Sequence, residues 1–277
     1  MATNREYKDS VFTKLFSETD KLLELYNALS DENYTSDTKV EINTLEGVLF
    51  LDQMNDISFT IGDKTVVLIE HQSSISENLP IRCLMYIARI YEKIVDRKAI
   101  YKQLLLKVPA PEFIVLYNGR NSFPDEKELY LSTAFHENPN HVTKFGSLEL
   151  TVRILNINKG HNESIVKTSD TLHGYVLFIQ KVRDYDAVGF DRTTAITKAL
   201  KYCEKHEILQ PFLTEHASEV SNMLYTEFDI DIAKEVWQEE AHETGREEGI
   251  EQALSLLESG KSVDEIRQML KKAKTSQ

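Results

Sequence analysis

Apolar and polar positions along this chain sort into blocks of two periods. Between Asp9 and Leu29, Phe12, Leu15, Phe16, Leu22, Leu25, Tyr26 and Leu29 recur at helical spacing, which predicts one or two amphipathic helices. A polar loop, Asp31 to Asp37, follows. Two arms rich in β-branched and aromatic residues, Leu49 to Ile61 and Thr65 to Gln72, flank Gly62-Asp63-Lys64 and read as a hairpin. Asn78 and Pro80 then open a helix, since proline suits a first turn whose amide has no partner. Cys83, Ile87, Ile90 and Ile94 form its apolar stripe, and Arg82, Tyr86, Arg89 and Lys93 form a second stripe on a neighbouring face. Pro111 is expected to end the next helical stretch, before a compact strand, Glu112 to Tyr117, closed by Asn118-Gly119. Residues 121–146 read as a long polar connection, and Leu150 to Ile157 as another strand. From Asn162 to Lys205 the pattern turns helical, although Leu172 to Ile179 fits a buried helix or a strand equally.

The elements add up to a mixed α/β core. The polar stretch around Gly189 marks its expected edge, giving a domain over 1–189 and a helical C-terminal region over 190–277. That region holds an acidic run from Glu239 to Gly249 and a capping box, Ser262 to Glu265, opening a last short helix. Gly260-Lys261-Ser262 resembles the end of a phosphate-binding loop, but Ser255 stands where that loop needs glycine.

Composition narrows the classes. No stretch approaches twenty apolar residues and the first twenty lack an apolar core, so neither a membrane span nor a secretory signal is expected, and a cytoplasmic protein is. Cys83 and Cys203 read as buried thiols of a reducing compartment. His136 and His141 have no cysteines at zinc spacing. The net charge of −13 runs against casual nucleic-acid affinity, so a DNA-binding chain of this kind must concentrate its positive charge locally.

The hairpin carries the candidate chemistry. If Gly62 to Lys64 form a three-residue loop, Ile61 faces Thr65 and Asp56 lies directly opposite Glu70, with Gln72 on the face of Glu70. A two-residue loop shifts the register by one and puts the two carboxylates on opposite faces. Carboxylates brought together at the end of an apolar hairpin stay ionised only beside a cation, and their oxygens suit Mg²⁺, Mn²⁺ or Ca²⁺. Such an ion could activate water and stabilise charge on a phosphodiester, while the Gln72 amide orients water or a phosphate oxygen. The bland alternative is two exposed acids at strand ends.

Several separate motifs carry a resemblance. Tyr7-Lys8-Asp9-Ser10-Val11-Phe12-Thr13-Lys14-Leu15-Phe16 opens the chain. Leu68-Ile69-Glu70-His71-Gln72-Ser73, Leu79-Pro80-Ile81-Arg82-Cys83-Leu84-Met85-Tyr86 and Ile114-Val115-Leu116-Tyr117-Asn118-Gly119 follow. Together with a Glu/Gly-rich tail, these resemble the Rpn family of recombination-promoting nucleases, also labelled PD-(D/E)XK transposases. The resemblance implies a PD-(D/E)XK core of a central mixed sheet flanked by helices. It also implies divalent-metal-dependent DNA cleavage that promotes recombination, Mg²⁺ being the leading ion. Gln72 stands where the wider fold has lysine. By the same resemblance Asp9 could assist Asp56 and Glu70 at the metal, and Lys14 could supply the charge that Gln72 lacks. Their plain alternatives are a helix cap and a surface lysine. Arg82, Tyr86 and Arg89 could line the site and hold DNA backbone, or form a solvated face. The rival class is an interaction protein that keeps the fold and works through its acidic C-terminal helices, which are in either case the expected route to a homo-oligomer.

Overall fold

The computed structural model describes residues 11–30, 32–43, 55–71, 75–136, 147–210 and 212–225, with the backbone alone at Asn55, Asp56, Glu70 and His71. Two helices open it, α1 (Val11–Phe16) and α2 (Thr19–Leu29). Phe12, Leu15, Phe16, Leu22, Leu25, Tyr26 and Leu29 all lie in the core, as their spacing predicts. A short edge strand, β1 (Val40–Ile42), precedes the hairpin.

The hairpin forms, and its loop is two residues long. β2 (Asn55–Ile61) and β3 (Lys64–His71) pair antiparallel with Ile61 opposite Lys64. Gly62 turns the chain at φ 57°, a left-handed conformation that glycine adopts without steric cost and that matches strand twist in tight hairpins. This overturns the three-residue loop. The register sets Asp56 opposite Ile69, and Glu70 opposite Asn55. By alternation, positions 56 and 70 therefore take opposite faces of the sheet.

From β3 the chain crosses through α3 (Leu79–Ile94) into β4 (Ala110–Tyr117), which lies parallel to β3. β6 (Thr151–Asn156) pairs parallel with β4, and β5 (Glu126–Tyr130) closes the far edge antiparallel to β6. The mixed six-stranded sheet runs β1-β2-β3-β4-β6-β5. Val66 to Ile69 and Val115 to Leu116 are wholly buried, the signature of inner strands covered on both faces. On one face Val67, Ile69, Val115 and Ile154 meet Cys83, Tyr86, Ile87 and Ile90 of α3. On the other, Phe59 packs edge-on against Tyr26 of α2.

Three helices complete the described chain before residue 212, namely α4 (Glu163–Thr168), α5 (Asp170–Ala187) and α6 (Arg192–Lys205). The ambiguous Leu172 to Ile179 is helical, inside α5, and Ser169 caps it by accepting from the Leu172 amide at 3.0 Å. Two details depart from expectation. Pro111 sits inside β4 rather than at a helix end, near the strand's start where a missing amide is tolerated. β5 occupies what reads as a long polar connection. The chain divides into two compact units, Met1–Glu227 and Phe228–Gln277, and every element above belongs to the first. The expected edge at Gly189 is a turn between α5 and α6 inside that unit, at φ 91°. The acidic run, the capping box and Gly260-Lys261-Ser262 lie outside the described residues, as does His141. Among the described residues no helix is long and apolar enough to cross a membrane.

Candidate functional site

The parallel strands β3, β4 and β6 end side by side, with Glu70 opposite Leu116, His71 opposite Tyr117, and Tyr117 opposite Asn156. Ligands of open α/β sheets gather beyond such carboxyl ends. Here the edge is polar and closely built. Asn118, which follows β4, is 2% exposed, and Asn156, which ends β6, is 1% exposed. Arg183 reaches them from α5. Its Nη1 donates to Asn118 Oδ1 at 3.2 Å and to Asn158 Oδ1 at 3.0 Å, and its Nη2 donates to the Asn118 carbonyl. Asn158 Nδ2 donates to Asn156 Oδ1 at 2.9 Å and to the Gly119 carbonyl at 3.1 Å. Asn156 Nδ2 reaches the Phe123 carbonyl at 2.9 Å.

Gly119 is required here by a close approach. A Cβ at that position would stand 2.4 Å from the Tyr117 hydroxyl. That phenol donates to the Asn121 carbonyl at 3.0 Å, and burial pushes its pKa up. The cluster thus fixes a permanently charged guanidinium at the sheet edge. Position 70 has the strand parity of Leu116, and Asn118 lies two residues beyond Leu116, so Glu70 and Asn118 take places on one face of adjacent strands. The Asn118 amide Nδ2 is buried with no partner among the described residues.

The residues singled out in the sequence are only partly brought together. Asp9 and Gln72 lie outside the described residues, as do the side chains of Asp56 and Glu70. The backbone register separates the last two by one step across the hairpin. Lys14 is paired with Glu219, in the helical residues 212–225, and its hydrogen bond holds that carboxyl below the usual range. Tyr86 is fully buried and donates to Ser58 Oγ at 3.1 Å, so it belongs to the core under α3 and not to an exposed DNA-binding stripe. Arg82 is half-buried, and that burial lowers its guanidinium pKa. Arg89 is exposed further along the same helix. Among the described residues, no group of three His, Cys, Asp or Glu side chains could hold a metal.

Asn118, Asn156, Asn158 and Arg183 escaped the reading of the sequence. Only Asn118-Gly119 left a signal, as a turn pair straight after an apolar strand. Residues 49–208, more than half of the chain, match a family model described as "Putative transposase, YhgA-like". No curated protein and no solved structure matches the chain.

Proposed function

The chain belongs to the family of YhgA-like transposases, and from that premise we propose that it is a divalent-metal-dependent DNA endonuclease. The family places it among transposase- and nuclease-related proteins, and hydrolysis of phosphodiester bonds is the finer reading. One observation carries it. Glu70 is the last residue but one of an inner parallel strand, at the edge where Arg183 and the buried asparagines converge.

The donor types at the edge fit a hard cation, because Glu70 offers carboxylate oxygens and Gln72 an amide oxygen. Mg²⁺ suits them best, with Mn²⁺ or Ca²⁺ as substitutes, and such an ion supplies acidity to bound water and charge to the phosphodiester. Glu70 would hold it, with Asp9 in support, whereas Asp56, set on the opposite face of the sheet by the hairpin register, would not share that ion directly. The Gln72 amide orients water or a phosphate oxygen. Arg183 keeps the edge rigid and sets a positive charge there.

Nicking of supercoiled plasmid tests this. The parent should cleave with Mg²⁺ or Mn²⁺ and stop with a chelator. Glu70→Ala should lower the rate by more than about a hundredfold, beyond the 10–100-fold typical of losing an outer-shell partner. Asp56→Ala, on the opposite face, should lower it by less, and both variants should keep the parent's circular dichroism. Well-folded parent protein that fails to cleave with any of these ions would sink the proposal and leave an interaction protein that keeps the fold.

A further inference from the structure

Ten of the described lysines and arginines in this acidic chain have acidic partners. Lys21, Lys127 and Lys167 pair with glutamates at 2.6 Å, Lys181 with Asp184 at 3.2 Å, Arg120 with Asp186 and Arg153 with Glu126 at 3.0 Å. The end of α3 and the loop after it depart from this. Lys93, Arg97, Lys98, Lys102 and Lys107 are all exposed, and none forms an ion pair with another described residue. Between residues 92 and 108 only Glu92 and Asp96 carry negative charge. Asp96 Oδ1 is held in the turn, accepting from the Lys98 amide at 2.9 Å.

The same stretch presents large apolar side chains to water. Tyr101 is 90% exposed, Leu104 82%, Leu105 81% and Ile100 60%. They border a hollow of about 1030 Å³ walled by Tyr91 of α3 and by Arg97 and Lys102. The loop is a built one. A 3₁₀ turn, Ala99–Tyr101, is closed by the Lys102 amide on the Ala99 carbonyl at 3.1 Å. The Tyr91 phenol pins the far end, donating to the Pro109 carbonyl at 2.7 Å.

A contiguous apolar surface of this kind marks a binding site. Charge selects the occupant. A second copy docked face to face would set five cations against five, whereas an anionic polymer meets them favourably. Phosphates satisfy lysine and arginine, and an exposed aromatic ring flanked by apolar side chains stacks on bases whose faces are open. A closed duplex keeps those faces covered.

We propose that the surface from Lys93 to Val108 holds a DNA strand with unpaired bases, Lys93, Arg97, Lys98, Lys102 and Lys107 gripping phosphates while Tyr101 stacks on a base. The inference rests on the nuclease reading above and names where its DNA lies. It also bears on the chain's net charge of −13, since five cations stand together in a stretch that holds only two acids.

Fluorescence anisotropy of the full chain with labelled oligothymidine, and with a duplex of equal length, tests it in EDTA, where cleavage plays no part. The strand should bind more tightly than the duplex. Tyr101→Ala should weaken strand binding about tenfold or more. Lys98→Glu with Lys102→Glu should weaken it further and flatten its salt dependence. Unchanged strand binding by the surface variants overturns the inference, and so does a preference for duplex that ignores Tyr101. Capture by anionic vesicles or an acidic peptide in place of the strand also overturns it. Plasmid nicking is scored separately. Cleavage lost in Glu70→Ala with normal binding by Tyr101→Ala defeats this inference alone. No cleavage by the parent, with strand binding lost in Tyr101→Ala, defeats the nuclease reading alone.

Discussion

The carboxyl edge of the parallel strands and the loop leading into β4 are built to opposite rules. At the edge, Arg183, Asn118, Asn156 and Asn158 hydrogen-bond to one another and to backbone carbonyls, with Asn118 and Asn156 almost out of contact with water. In the loop and the last turn of α3, five cations are left to solvent beside Ile100, Tyr101, Leu104 and Leu105. Buried polar groups cost free energy unless paired, so the edge is a shape that folding itself fixes. Exposed apolar and unpaired charged groups contribute little to folding, so the loop's composition answers to something outside the fold. The two regions should therefore respond to substitution in opposite ways.

The largest contrast pits Arg183→Met against Lys102→Met. The first removes a charged donor from two asparagine oxygens and a backbone carbonyl, and should cost about 3 kcal/mol, the upper end for hydrogen bonds to a charged group. The second should stay within about 0.5 kcal/mol, as surface changes usually do. Urea denaturation measures both. Equal losses would break the comparison.

Gly119→Ala sharpens it at the edge alone. The new methyl meets the Tyr117 hydroxyl at 2.4 Å and Cζ at 2.5 Å. Tyr117 cannot easily retreat, because its ring packs on Phe123 at 4.5 Å between centroids and its phenol is tied to Asn121. Overpacking of this kind costs roughly 1–3 kcal/mol. A melting temperature equal to the parent's would show that the edge is looser than its hydrogen bonds suggest.

What was legible in the sequence follows the same division. The helices and inner strands announce themselves because burial imposes a period. Pro80 and the Cys83, Ile87, Ile90 stripe give α3, and Val66 to Ile69 gives β3. The hairpin register was not legible, since Gly62-Asp63-Lys64 can close a loop of two or three residues and only the turn geometry decides. β5 was missed because, of its five residues, only Leu129 is buried, so no alternation shows. Tyr86 shares helical spacing with Arg82 and Arg89, yet lies on the side of the helix that meets the sheet. The Arg183 cluster joins residues up to 65 apart in sequence, and polar groups that pair over such distances leave no local pattern.

Ser169→Ala probes a smaller case of the edge rule. Ser169 is fully buried, accepts from the Leu172 amide at 3.0 Å and donates to Glu24 Oε1 at 2.7 Å, joining the start of α5 to α2. Loss of this cap should cost about 1 kcal/mol. A cost below about 0.3 kcal/mol in urea denaturation would mean that the Glu24 contacts to Thr171 hold the helix start unaided.

The smallest effect appears only in alkali, and it separates the buried core from the loop by charge alone. Burial pushes the thiols of Cys83 on α3 and Cys203 on α6 up to about 12 from 9.0. In an unfolded chain they would lose protons near 9, so between about 9 and 12 the unfolded state binds fewer protons than the folded one. Stability from these groups is therefore complete below about pH 9 and is lost as the pH rises toward 12. The Tyr26 phenol, raised by burial and by its bond to Glu112, acts in the same direction. Urea midpoints taken from neutral to mildly alkaline pH should fall, and fall less steeply in Cys203→Ala. Lys102→Met should leave the slope untouched. Iodoacetamide at neutral pH should label neither cysteine in the folded chain, and a loop variant that exposed Cys83 to it would show that the loop props up α3.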